Sequence, residues 1–292
     1  MINNNYTKTQ LIPNATKPII DAFTFFITTK CTLKCKRCLM SFPYCPNPKH
    51  TPKNQVFAEM QKVSELCFAA FGERQAVLHA DIIGGEPLLH PDILEIAKEL
   101  YKYRTQFVEL RIVTNSTIVP KNDLCEFIKS VNDSGVRFIF LLDHYPKVST
   151  KYSEIIDKLD SYGIPYRVDN YVGDDIHFNG WVDIGNYEGK KEYKDAKELF
   201  CSRCVYKTFI CLPIWNGKIY PCAYTFGGEI RGTFTAEPEE CIDLFDESIP
   251  IENRIKWIKL SWIDANEPLS GCYSCNGVGW EGQKRFAAAE QS

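Results

Sequence analysis

Long apolar runs are absent from this chain of 292 residues. No stretch reaches the ~18 consecutive apolar residues that a membrane-spanning helix needs. Clustered basic charge is absent too. The lysines are spread along the sequence, the formal net charge is -3 and the pI is near 6.0, which argues against a nucleic-acid partner. The opening residues Met1-Ile2-Asn3-Asn4-Asn5-Tyr6 lack the charged-then-apolar layout of a signal peptide. There is no internal repeat and no low-complexity tract. These absences place the expectation in the cytoplasm, where disulfides are rare. The residue that is abundant is cysteine, with 13 copies, and in that compartment cysteines are read first as metal ligands.

The length suits one large domain, or one domain with a smaller companion. A hydrophobic fraction of 45% is enough for a sizeable core. Residues 1–21 read as a polar lead-in. From residue 22 to about 170, β-type apolar runs alternate with helical periods: strands over 22–28, 77–83, 108–114, 137–142 and 166–170, and helices over 56–71, 91–103, 124–131 and 152–162. Such alternation argues for a parallel sheet with helices outside it. Residues 171–200 have weak periodicity. Then come cysteines 201, 204, 211, 222, 241, 272 and 275, and an Asn216-Gly217 pair that reads as a hairpin turn between strands over 207–212 and 218–220. The expected division is 1–200 and 201–292.

Three cysteines fall within eight residues as Cys31-x3-Cys35-x2-Cys38. One reading is three inert buried thiols, but the nearby lysines and arginine favour thiolates. A second is a zinc knuckle with Cys45 as fourth ligand. A third is a four-iron cluster with one iron left without a protein ligand. Downstream, Gly84-Gly85-Glu86-Pro87 closes the second expected strand. Glycines there let backbone approach a ligand, and Glu86 offers a carboxylate to a ligand ammonium. Ligands sit at strand C-terminal ends in parallel α/β folds. By that rule Thr114, Asn115 and Asp143 face the same mouth, although Asn115 and Asp143 also suit turn capping.

Taken together, Cys-x3-Cys-x2-Cys after the first strand and the Gly-Gly-Glu-Pro strand end resemble the radical S-adenosylmethionine (SAM) superfamily. The resemblance implies a partial (β/α)6 TIM-like barrel. It implies a [4Fe–4S] cluster on Cys31, Cys35 and Cys38 whose open iron chelates SAM, and a flavodoxin- or ferredoxin-type electron donor. Reductive cleavage of SAM to a 5′-deoxyadenosyl radical and abstraction of a substrate hydrogen atom would follow. Gly84, Gly85 and Glu86 would hold the methionine end of SAM, and Thr114, Asn115 and Asp143 its ribose and carboxylate. The family often has an aromatic residue before the third cysteine; here it is Arg37.

The second set, Cys204-x12-Gly217-x4-Cys222 with the late Cys272-x2-Cys275, suits a full cluster or a structural zinc. It resembles the Twitch extension of radical SAM enzymes, a short relative of the SPASM domain. That implies one auxiliary [4Fe–4S] cluster on Cys204, Cys222, Cys272 and Cys275, two clusters in all, with Cys211 as the alternate first ligand. Cys67, Cys125, Cys201 and Cys241 read as small core residues. The layout is similar to radical SAM–Twitch dehydrogenases acting on a small sugar or aminocyclitol. The alternatives are an epimerase with a thiol hydrogen donor (Cys45), a peptide-modifying maturase, or a non-enzymatic iron–sulfur or zinc module. Asp174, Asp175, His177 and Asp183 are polar residues near the expected mouth, and none is assigned a catalytic role.

Overall fold

The computed structural model describes residues 20–173, 176–177, 180–278 and 282–292. Its first half repeats strand and helix: β1 (Ile20–Thr28), α1 (Lys53–Phe71), β2 (Val77–Gly84), α2 (Ile93–Lys102), β3 (Phe107–Thr114), α3 (Asn122–Asp133), β4 (Phe138–His144), α4 (Tyr152–Tyr162) and β5 (Tyr166–Asn170). Then come β6 (Trp181–Val182), α5 (Tyr193–Arg203), β7 (Cys211–Trp215), β8 (Lys218–Ile219), α6 (Ala223–Arg231), β9 (Ile242–Asp243), α7 (Ile251–Ile258), α8 (Ser261–Asp264) and β10 (Arg285–Phe286). The expected strands and helices of the first half all form, most of them extended by a residue or more.

One sheet holds eight of the strands in the order β5-β4-β3-β2-β1-β7-β8-β9. The first five strands pair in parallel, and β7 joins β1 in parallel, from Ala22↔Cys211 to Phe25↔Ile214. The six parallel strands with their outer helices make the expected partial barrel. β8 and β9 extend it antiparallel. The position near residue 200 falls inside α5, and strands from beyond it complete the same sheet. The expected hairpin over 207–212 starts later, at Cys211, because Val205–Lys207 coils into a 3-10 turn.

Period-two alternation divides the two faces. Phe23, Phe25, Ile27, Ala80, Ile82, Leu110, Ile112, Phe140 and Leu142 pack outward under the helices. Helix α2 answers with Ile93, Ile96, Ala97 and Leu100 at helical spacing, all buried. Each large apolar side chain so buried contributes roughly 1.5–3 kcal/mol. The alternate residues Thr24, His79, Asp81, Glu109 and Arg111 are buried on the other face. There Arg111 grips Asp81 bidentately at 2.6 and 2.7 Å, and Arg137 and His79 pair with Glu109. The barrel interior is therefore a charged floor built on two arginine–carboxylate pairs. Among the described residues no helix is long and apolar enough to cross a membrane.

Candidate active site

Above that floor, at the C-terminal ends of β1 to β4, lies a cavity of about 360 Å³. Its size is within the range of small-molecule sites. Cys31, Cys35 and Cys38 line it, and so do Gly84, Gly85, Asn115 and Asp143. The register explains the convergence. Thr28 pairs with Gly84, and Thr114 with Leu142, so the turns after these strands open at one level.

The glycines are required by space. A Cβ on Gly85 would lie 2.3 Å from the Lys30 carbonyl oxygen and 2.8 Å from the Cβ of Cys31. One on Gly84 would lie 2.6 Å from the Thr28 carbonyl oxygen. Backbone amides of Gly85 and Glu86 donate to Thr28 and Lys30 at 2.9 Å each. The strand end thus lies flush against the start of the cysteine loop, with no room for a side chain between them.

Glu86 and Thr114 sit behind the wall, not in it. The Glu86 carboxylate is fully buried and accepts from Leu88 N–H, Thr114 Oγ1 and Asn115 N–H at 2.9–3.0 Å. Burial pushes its pKa up to about 7, against these hydrogen bonds. Its visible work is to lock the end of β2 to the end of β3. Asn115 is then held to reach Thr32 Oγ1 at 3.1 Å and Cys31 Sγ at 3.5 Å.

The thiols are not activated by the neighbouring cations, contrary to the expectation from sequence. Burial raises Cys31 to about 11, Cys35 above its ordinary value and Cys38 to about 12, and charge on the neighbouring thiols of the triad pushes Cys31 and Cys38 the same way. Lys36 and Arg37 turn away to Glu290, at 2.7 and 2.8 Å, and the Arg37 guanidinium stacks 3.7 Å over Phe286. Three largely desolvated thiols whose ionised forms repel one another suit a metal centre, whose positive charge stabilises those forms. This donor set and the side-chain-free cradle beside it fit a cluster with a ligand on it.

A second group gathers nearby. Cys204, Cys222, Cys272 and Cys275 are close enough for charge on one to raise the pKa of another, and burial raises all four. Cys222 caps α6, accepting from Thr225 N–H. Cys211 faces elsewhere: it lines the cavity with the first triad. Tyr206, buried and lining the same cavity, lies within electrostatic reach of Cys204, Cys211 and Cys222. Among the described residues no three His, Cys, Asp or Glu groups converge on a single-ion position.

Several lining residues went unmarked in the sequence. Tyr145 and Tyr171 stand 4.7 Å apart with Trp181 edge-on to both, making an aromatic wall. Asp143 is half-buried beside Tyr145, and desolvation with charge on Asp169 holds its carboxyl well above the usual range. His177 lines the cavity with Nε2 3.4 Å from Asp169 Oδ2. Asp183 lines a separate polar cleft with Lys36, Arg37 and Arg231. Asp174 and Asp175 lie outside the described residues. Cys45 packs against the apolar cluster that contains Phe42 and Phe226 and does not itself line the cavity.

Scanned against protein-family models the sequence matches none, and no curated protein matches it. Solved structures do match. BtrN in complex with AdoMet and 2-DOIA superposes at a TM-score of 0.56 with 14% identity, over 95% of this chain and 100% of that one. Native anSMEcpe with bound AdoMet gives 0.50 with 12% identity, over 83% of this chain and 82% of that one. The chain has the fold of these two structures. The expected partial barrel is the fold of these neighbours, and the cavity at its strand ends lies where the general rule for parallel sheets puts a ligand. The likeness is one of fold, and the chemistry rests on the residues just described.

Proposed function

We propose that this chain is a radical SAM oxidoreductase. In this reading Cys31, Cys35 and Cys38 hold a [4Fe–4S] cluster. Gly84, Gly85, Asn115 and Asp143 form the bed for SAM, with Glu86 and Thr114 fastening that bed from behind. The observation that carries the reading is the convergence of three thiols and a side-chain-free glycine turn on one cavity at the strand ends. When bound, cluster and SAM supply one-electron cleavage of a sulfonium and, through it, the capacity to take hydrogen from an unactivated C–H bond. The protein's own part is to hold the three sulfurs, present the glycine turn and keep water out with Tyr145, Tyr171 and Trp181.

The substrate class we propose is a small polar molecule of sugar or aminocyclitol type, oxidised at a carbinol carbon to a ketone. His177, backed by Asp169, supplies an imidazole at the wall to accept the hydroxyl proton. Cys204, Cys222, Cys272 and Cys275 would hold an auxiliary [4Fe–4S] cluster, which would supply an acceptor for the second electron. The proximity of Cys204 and Cys222 to Tyr206, itself on the cavity wall, supports that role. A flavodoxin- or ferredoxin-type protein would deliver the first electron, and the cytoplasm is where such a partner works. Epimerisation is the second reading, favoured by one observation: Cys211 puts a thiol on the cavity wall, where a hydrogen-atom donor would stand, and Cys45 does not.

Anaerobic reconstitution, iron and sulfide analysis, and dithionite reduction with SAM test the proposal. Wild type should bind iron and form 5′-deoxyadenosine. Cys31→Ala, Cys35→Ala and Cys38→Ala should each reduce that yield to background; sustained cleavage in any one defeats the assignment.

A further inference from the structure

Segment 282–292 lies along the loop that carries the triad. Within it β10 pairs antiparallel with β6 beside the cavity. Beyond β10 the chain runs against the cysteine loop. Cys35 and Gln291 face each other in an antiparallel bridge. Lys36 N–H donates to Glu290 O and Ser292 N–H to Lys34 O, both at 2.8 Å. The ion pairs of Glu290 with Lys36 and Arg37 lie at the surface and add little. The backbone bonds set the register.

That register delivers one side chain. Gln291 Nε2 donates to Cys35 Sγ at 3.4 Å. Its amide is oriented at both ends: Oε1 accepts from Lys34 N–H at 2.7 Å, and Nε2 also donates to Ala289 O at 2.7 Å. The other two sulfurs are served differently. Cys31 takes N–H from Leu33 two residues on and from Asn115. Cys38 takes backbone N–H from Met40 and Phe42. Among the described residues, Cys35 is the thiol of the triad whose side-chain donor comes from farthest along the chain, 256 residues away.

We propose that Gln291 is a positioning residue for the triad, fixing Cys35 Sγ and tuning the reduction potential of the cluster that the three thiols hold. This rests on the reading of the triad given above. An N–H directed at a cluster sulfur stabilises the more negative, reduced state and so raises the potential. Removing it makes the cluster harder to reduce while leaving all three thiol ligands in place.

Two variants of the full chain separate tuning from simple coverage. Gln291→Leu loses all three amide contacts. Gln291→Glu keeps an acceptor for Lys34 N–H and loses the donor to sulfur. The potential is read by redox titration of the EPR signal that changes on adding SAM. Coverage is read by hydrogen–deuterium exchange of peptide 31–38 in iron-free protein. Both variants should keep wild-type iron and show about a tenfold less favourable reduction equilibrium, about 59 mV for one electron. Exchange should rise about tenfold in Gln291→Leu and stay at the wild-type rate in Gln291→Glu. An unchanged potential in both variants overturns the proposal, and wild-type exchange in Gln291→Leu overturns the contact itself. Should wild type form no iron–sulfur cluster, the reading of the triad fails while the exchange arm still tests the contact.

Discussion

Gly85→Ala places one methyl group where the strand end meets the cysteine loop. An ordinary C···O contact is about 3.3 Å, and the new Cβ would start 2.3 Å from the Lys30 carbonyl oxygen and 2.6 Å from its carbon. The shortfall is about 1 Å, against backbone atoms that cannot rotate away. Either the end of β2 or the residues before Cys31 must retreat, and the 2.9 Å bond from Glu86 N–H to that carbonyl stretches as they part. Overpacking of this kind costs roughly 1–3 kcal/mol, and the strained hydrogen bond adds about 1 kcal/mol. Reduced freedom of the unfolded chain returns about 0.4–1 kcal/mol. The expected net loss is about 2–3 kcal/mol in urea unfolding of the iron-free protein. A shift of about 1 Å in Cys31 should also slow SAM cleavage by about 100-fold. Stability within about 0.5 kcal/mol of wild type, together with cleavage within about twofold, would refute the view that this turn is fitted against the loop.

Glu86 gives a pH signature. Its folded pKa of about 7 lies above the ordinary value of 4.5, so the folded state holds the proton more tightly than the unfolded one. Its contribution is present in full below about pH 4.5 and is lost as pH rises toward about 7, on the order of 3 kcal/mol in total. Glu86→Gln, neutral throughout, should lack this slope; urea unfolding at a series of pH values checks it, and an identical slope in both proteins counts against a buried, strained carboxyl. Cys222→Ala should lower iron to about one cluster per chain and leave some SAM cleavage. Iron that stays at two clusters' worth would remove Cys222 from the ligand set. His177→Ala should slow ketone formation by about 100-fold or more while leaving 5′-deoxyadenosine formation near wild type; equal loss of both would place His177 in SAM binding instead.

Much of the barrel was legible in the sequence because its strands and helices keep strict periods. The outward-facing set Phe23, Phe25 and Ile27 is spaced for a strand, and Ile93, Ile96 and Leu100 for a helix. Asn216-Gly217 announced its turn, and both residues take positive φ, 51° and 80°. Other elements carry no such signal. Helix α5 buries only Ala196, Leu199 and Phe200 among charged neighbours. Helix α6 contains Gly227-Gly228, poor helix formers, because Tyr187, Leu39 and Phe234 press against those positions. Parallel pairing of β7 with β1 joins residues 189 positions apart, as in Ala22↔Cys211, which no local pattern encodes. The thiol positions were legible, but their electrostatics were not. Lys36 and Arg37 flank the cysteines in sequence and turn to Glu290 in space. The aromatic wall was hidden because Tyr145, Tyr171 and Trp181 meet only after β4, β5 and β6 are placed.

The join between β1 and β7 has a consequence for electron flow. The loop bearing the first three thiols leaves one end of β1, and the hairpin leading to Cys222 is laced to the same strand by a ladder of main-chain bonds. The triad's loop and the hairpin that ends at Cys222 thus hang from one hydrogen-bonded sheet. If the two cysteine groups hold the clusters proposed above, that shared sheet would set how far an electron travels between the first cluster and Cys222.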